Sequence, residues 1–86
     1  MHYQITVIGR VQGVFFRAST KEKAKELRLV GFVKNEANGN VYIEVQGARV
    51  EELIVWIKEG GPKMARVDDT IIEEAKGQSF IEFKIK

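Results

Sequence analysis

The chain has no cysteine, one proline, one histidine and one tryptophan among its 86 residues. Without cysteine there is no disulfide framework and no thiolate metal site. The single histidine, His2, belongs to no metal-ligand cluster and to no serine–histidine–aspartate arrangement, and it reads as a solvated end residue. Apolar stretches are short, so nothing reads as a membrane span or a signal peptide, and a cytoplasmic location is the expectation. Neither sign of charge dominates: 14 basic against 12 acidic residues leave +2, too even a balance to argue for nucleic acid. A chain of this length makes one domain, 1–86, whose core must hold without covalent staples.

What is present is clean periodicity. Tyr3, Ile5 and Val7 alternate with His2, Gln4 and Thr6, the pattern of a half-buried strand. From Phe16 the period changes: Phe16, Thr20, Ala24 and Leu27 share one helical stripe, while Lys21, Glu22, Lys25 and Glu26 face water. Lys21–Lys25 and Glu22–Glu26 are like-charge pairs, and Glu22–Lys25 is a favourable one. Gly31 stops the helical region and a strand runs from Phe32 to Glu36. Asn38-Gly39 marks a tight turn into a strand with Val41, Ile43 and Val45 inward and Tyr42, Glu44 and Gln46 outward. Val50, Leu53, Ile54 and Ile57 repeat at amphipathic-helix spacing, with Trp56 on the flank of that stripe, and Gly60-Gly61-Pro62 ends the helix. Arg66 to Glu74 reads as a fourth strand, and Ile81, Phe83 and Ile85 as the inward face of a fifth. The order β-α-β-β-α-β plus a terminal strand calls for a two-layer α+β sandwich: an antiparallel sheet with both helices on one face and the other face polar.

The most informative segment is Gly9-Arg10-Val11-Gln12-Gly13-Val14-Phe15-Phe16-Arg17, between the first strand and the first helix. A glycine-bracketed turn feeding a helix N-terminus aims backbone N–H groups at one point, and the helix dipole adds positive potential there. Arg17 would add a guanidinium suited to two phosphate oxygens at once. The spacing is neither a dinucleotide fingerprint nor a Walker A loop. Two readings stand: a phosphate cradle, or a plain tight turn with Arg17 as a solvated first-turn residue. A cation at a helix N-terminus opposes the dipole, and residues that break a local rule are candidates for function.

Gly9 to Arg17 resembles the signature segment of the acylphosphatase family, enzymes that hydrolyse the carboxyl-phosphate bond of acyl phosphates. Gly31-Phe32-Val33-Lys34-Asn35 is similar to the family's second signature, Asn38-Gly39-Asn40-Val41 to its hairpin turn, and Gly61-Pro62-Lys63-Met64-Ala65-Arg66-Val67 to its approach to the fourth strand. The resemblance implies a ferredoxin-like fold, in agreement with the element order. It implies that Arg17 binds the phosphoryl group, that the backbone of Val11, Gln12, Gly13, Val14, Phe15 and Phe16 supplies further donors, and that Asn35 orients the attacking water. No metal and no cofactor are implied. The implied ligand is a small acyl phosphate, with inorganic phosphate as product and inhibitor; neither nucleic acid nor membrane is expected as a partner, and a monomer is expected. An acyl phosphate has a good leaving group, so the absence of acid–base machinery fits a reaction driven by positioning and electrostatics. Phe32 departs from a common tryptophan and Asn38 from a frequent aspartate. Glu36 puts a carboxylate beside the asparagine, where many members have a neutral residue.

Two rival readings remain at this stage. The same topology hosts RNA-binding domains that stack bases on sheet aromatics, and here Tyr42 is the clear open-face aromatic while the aromatic-rich signature is missing. A carbamoyl-phosphate-handling domain like that of hydrogenase maturation proteins is the other, though those domains belong to much longer chains.

Overall fold

In the computed structural model, which describes residues 1–77 and 79–86, the elements run β1 (His2–Arg10), α1 (Phe16–Glu26), β2 (Val30–Asn35), β3 (Val41–Gln46), α2 (Val50–Lys58), β4 (Arg66–Glu74) and β5 (Phe83–Ile85). The strands form one sheet in the order β4-β1-β3-β2-β5. Ile5 and Val7 of β1, Val33 of β2, and Val41, Ile43 and Val45 of β3 are fully buried on one face, so the period-two pattern decides which face meets the helices. Phe16, Thr20 and Ala24 of α1 and Val50, Leu53 and Ile57 of α2 close that core from above. The first helix lies over β2 and β5, the second over β4 and β1. Each fully buried aliphatic side chain contributes roughly 1.5–3 kcal/mol relative to exposure, and no disulfide adds to that.

The sheet is antiparallel through β4, β1, β3 and β2, as expected, but β5 corrects the expectation of a wholly antiparallel sheet by joining β2 in parallel. The reason is topological. Strand β4 ends at the end of the sheet where β2 begins, and the chain crosses along that end before entering the far edge in β2's own direction. Among the described residues, three bonds tie the crossing down: Ala75 N–H to the His2 carbonyl, Phe80 N–H to Gln46 Oε1, and Gly31 N–H to the Glu82 carbonyl. Only Phe83 of β5 is buried; Ile81 is 93% exposed, because an edge strand this short reaches under α1 at one position.

Two local expectations are also corrected. The first helix is stopped by Arg28 rather than Gly31: Arg28 adopts a left-handed φ of 57°, and the Leu29 N–H reaches back to the Ala24 carbonyl at 2.8 Å. Gly31 instead lies within β2, where a Cβ would fall 1.9 Å from the Glu44 carbonyl oxygen, so only glycine lets β2 and β3 approach this closely. The ion pair on α1 joins Lys23 to Glu26 at 3.6 Å, not Glu22 to Lys25.

Candidate active site

Strand β3 pairs with both β1 and β2, and Val41 stands opposite Val7 on one side and Asn35 on the other. The C-terminal ends of β1 and β2 therefore lie at the same end of the sheet, one strand apart, roughly 9–10 Å between them. From the first emerges the segment Val11–Phe15 and then α1; the second ends at Asn35.

The segment between β1 and α1 is pinned rather than loose. Val11, Val14 and Phe16 are buried and anchor it to the core. Gly13 (φ 75°) and Phe15 (φ 64°) are left-handed, with Val14 between them not so. Alternation of this kind is the backbone pattern of a nest, in which successive N–H groups face one concavity. Left-handed geometry at a bulky residue such as Phe15 costs on the order of 1–2 kcal/mol, and the residue is 74% exposed. Helix α1 has no acidic residue in its first turn and no side-chain cap. Among the described residues, the N–H groups of Gln12 to Arg17 meet no protein acceptor. Free donors, an uncapped helix start and a cation thus converge.

Arg17 is half-buried and, among the described residues, makes no ion pair. Its side chain lines a cleft of about 320 Å³ together with Val11, Gly13, Phe15, Phe16, Ala18, Asn35 and Ile85. Asn35 brings a distinct chemistry: its Oδ1 is buried and has no hydrogen-bond partner among the described residues. A buried amide oxygen without a partner is an acceptor held ready for a ligand or water.

Of the residues singled out from sequence, Val11, Gly13, Phe15, Phe16, Arg17 and Asn35 meet in this cleft. Gln12 and Val14 do not line it. Val14 is a core anchor, and Gln12 turns its side chain to the β2–β3 hairpin, its Nε2 donating to the carbonyls of Glu36 (2.8 Å) and Asn40 (2.9 Å). Sequence reasoning missed Ala18 and Ile85. The alternation around Ile85 marks a strand, and only the parallel pairing of β5 with β2 carries it to the cleft. Among the described residues no three His, Cys, Asp or Glu are grouped to hold a metal ion, and no helix is long and apolar enough to cross a membrane.

The acylphosphatase family model matches residues 3–85. The chain belongs to the acylphosphatase family. A curated acylphosphatase of Coxiella burnetii (strain RSA 493 / Nine Mile phase I) is 40% identical over 84 residues, covering 95% of this chain and 87% of the relative. The structure of an acylphosphatase from Coxiella burnetii superposes with a TM-score of 0.93 at 39% identity, covering 99% of this chain and 90% of that one. The crystal structure of acylphosphatase from Bacillus subtilis gives 0.92 at 32% identity, covering 99% and 97%. The protein is thus an enzyme, a hydrolase with the ferredoxin-like fold of acylphosphatases, and its family implies a small acyl phosphate as substrate.

For an acylphosphatase-family member, the charges kept away from the cleft matter as much as those in it. Glu36 does not line the cleft. Its carboxylate acts instead on the open face of the sheet, where it is one of the charges raising the Tyr42 phenol to about 12, after burial and the neighbouring Glu44. Tyr42 donates to Glu44 Oε1 at 3.1 Å and stands 5.8 Å from the Phe32 ring, which in turn meets Phe80 at 5.8 Å. The open face therefore carries more aromatic surface than Tyr42 alone, packed largely on itself. His2 is not a solvated end: it bonds Glu44 Oε2 at 2.7 Å and Gln46 at 3.1 Å and packs edge-on against Phe80, because β1 places it beside β3 from its first residue.

Proposed function

We propose that this enzyme hydrolyses small acyl phosphates by direct, in-line attack of water on phosphorus. The N–H groups of the Val11–Phe16 segment and the Arg17 guanidinium hold the phosphoryl oxygens, and Asn35 orients the water. The observation that carries the proposal is the convergence, at one cleft, of N–H donors, an arginine and a buried amide oxygen that have no partner among the described residues. Donors fixed in the folded chain need not reorganise as charge builds on the transferring group. The water oxygen bonds to phosphorus as the bond from phosphorus to the acyl oxygen breaks. The carboxylate leaves with that electron pair, one water proton passes to a phosphoryl oxygen and the other stays on the new hydroxyl. The products are a carboxylate and dihydrogen phosphate. A neutral asparagine suits the water-holding role, since it donates and accepts without adding charge beside an anion.

On this proposal neither metal nor cofactor is needed, and inorganic phosphate competes with substrate. The protein acts as a cytoplasmic monomer of 9.8 kDa, with no nucleic-acid or membrane partner. Hydrolysis of acetyl phosphate in ¹⁸O-water is the test: the label is expected in phosphate, at a rate unchanged by a chelator. Label in acetate, or a chelator-sensitive rate restored by a divalent cation, would overturn it.

A further inference from the structure

Helix α1 carries more positive charge along one flank than phosphate binding at its first turn requires. Arg17, Lys21 and Lys25 follow at steps of four, so on a 100° helical wheel they fall within one stripe, and Arg28, in the left-handed turn just past the helix, lines the same cleft as Lys21 and Lys25. That stripe borders the core face of Phe16, Thr20 and Ala24 on the side of β5, against which α1 lies. Glu22 and Glu26 project from the outer surface, and Lys23, paired with Glu26, lies on the opposite flank. Lys21, Lys25 and Arg28 make no ion pair among the described residues.

The flank is also a groove. Lys21, Lys25 and Arg28 line a second cleft of about 360 Å³, whose other wall is formed by Leu29, Ile81 and Phe83. Its one carboxylate, Glu82, lies 3.9 Å from Lys84 Nζ. The catalytic cleft lies further along the same two elements, with Arg17 and Ala18 of α1 and Ile85 of β5 in its wall, and shares no lining residue with the groove. From the arginine that faces the phosphoryl group, Lys21 and Lys25 thus recede along α1 at about 6 Å per step, opposite the apolar side chains of Ile81, Phe83 and Ile85.

We propose that this groove is a subsite for the acyl portion of the substrate, and that it selects acyl phosphates bearing a second anionic group about 6–12 Å from phosphorus, joined by a short apolar chain. The apolar linker lies along Phe83 and Ile85, and the distal anion meets Lys21 first and Lys25 next. A substrate without that anion, such as acetyl phosphate, uses only the phosphoryl end. The assignment rests on the phosphoryl group occupying the segment before α1. The two are separable, because acetyl phosphate turnover reports on the catalytic proposal alone.

The test compares kcat/KM for glutaryl monophosphate and acetyl phosphate at low and high salt, in the natural protein, Lys21→Gln/Lys25→Gln and Lys23→Gln. Glutamine keeps helix propensity, so these surface changes leave the fold in place. A unit charge about 6 Å away in water is worth about threefold in an equilibrium. The natural protein is expected to favour glutaryl monophosphate at low salt, and the double variant to lose about threefold or more of that preference, a ratio in which any lost attraction for the phosphoryl group common to both substrates cancels. Lys23→Gln removes a charge from the same helix off the groove, and the preference should survive it. High salt should erode it. An equal preference in the natural protein and the double variant would overturn the subsite, as would an equal loss from Lys23→Gln, which would reduce it to overall charge. Acetyl phosphate inert with the natural protein would instead overturn the catalytic proposal and the subsite with it.

Discussion

Arg17 and Asn35 face the same cleft with different chemistries, and substitutions separate them. Arg17→Ala removes a charged donor from an anion site, a loss worth about 2.7–4 kcal/mol of transition-state stabilisation, or 10²–10³ in rate. Its fold should survive, since among the described residues the guanidinium holds no other element in place. Arg17→Lys is expected to recover only part of kcat/KM, because an ammonium cannot make the two-pronged contact; full recovery would show that a point charge suffices. Asn35→Ala should lower kcat while inhibition by phosphate stays nearly unchanged, the mark of an interaction made mainly in the transition state. Asn35→Asp should be at least as damaging, since it sets a carboxylate beside an anion. If alanine instead weakened phosphate inhibition at constant kcat, Asn35 would be a phosphate ligand. Arg17 stands out in the sequence as a cation set against the helix dipole after a bracketed turn, whereas Asn35 is an ordinary strand-end asparagine by itself and is singled out only through the resemblance to the family's second signature. Gln12 was legible only as part of that turn: nothing in its spacing says that its side chain reaches the hairpin carbonyls.

At the scale of elements, period decides most and neighbours decide the rest. The alternation of β3 and the stripe on α1 match the buried residues position by position, because a central strand and a covered helix must each bury one whole face. Strand β5 is an edge, so its alternation overstates burial and leaves Ile81 and much of Ile85 exposed. The helix stop at Arg28 was hidden for a similar reason: an arginine in left-handed geometry carries no compositional signal, whereas Gly31 does. The pairing of β2 with β3 also has a pH consequence on the open face. Folding holds the Tyr42 proton more tightly than the unfolded chain does, chiefly through burial and then through Glu44, raising its pKa from 10.0 to about 12. The stability this gives is complete below pH 10 and is lost as pH rises through about 12. Tyr42→Phe should therefore show a shallower alkaline fall in unfolding midpoint between those values than the natural protein, measured by denaturant titration. Equal slopes would mean that the phenol does not link folding to pH.

Across the whole molecule, the cleft exists because β3 lies between β1 and β2 and holds them in one direction. Strand β3 lends no side chain to the cleft, yet Val41 sits in register with both Val7 and Asn35. The β1–β3 ladder joins partners as far apart as His2 and Gln46, 44 positions along the chain. Closing so long a loop must precede any reward from pairing, which makes such contacts slow to form. Helix α1 can gather from local contacts, but Arg17 and Asn35 become neighbours only when both of β3's pairings are complete. Recovered turnover during refolding is therefore a clock for the central sheet, and it should lag any signal that reports helix alone.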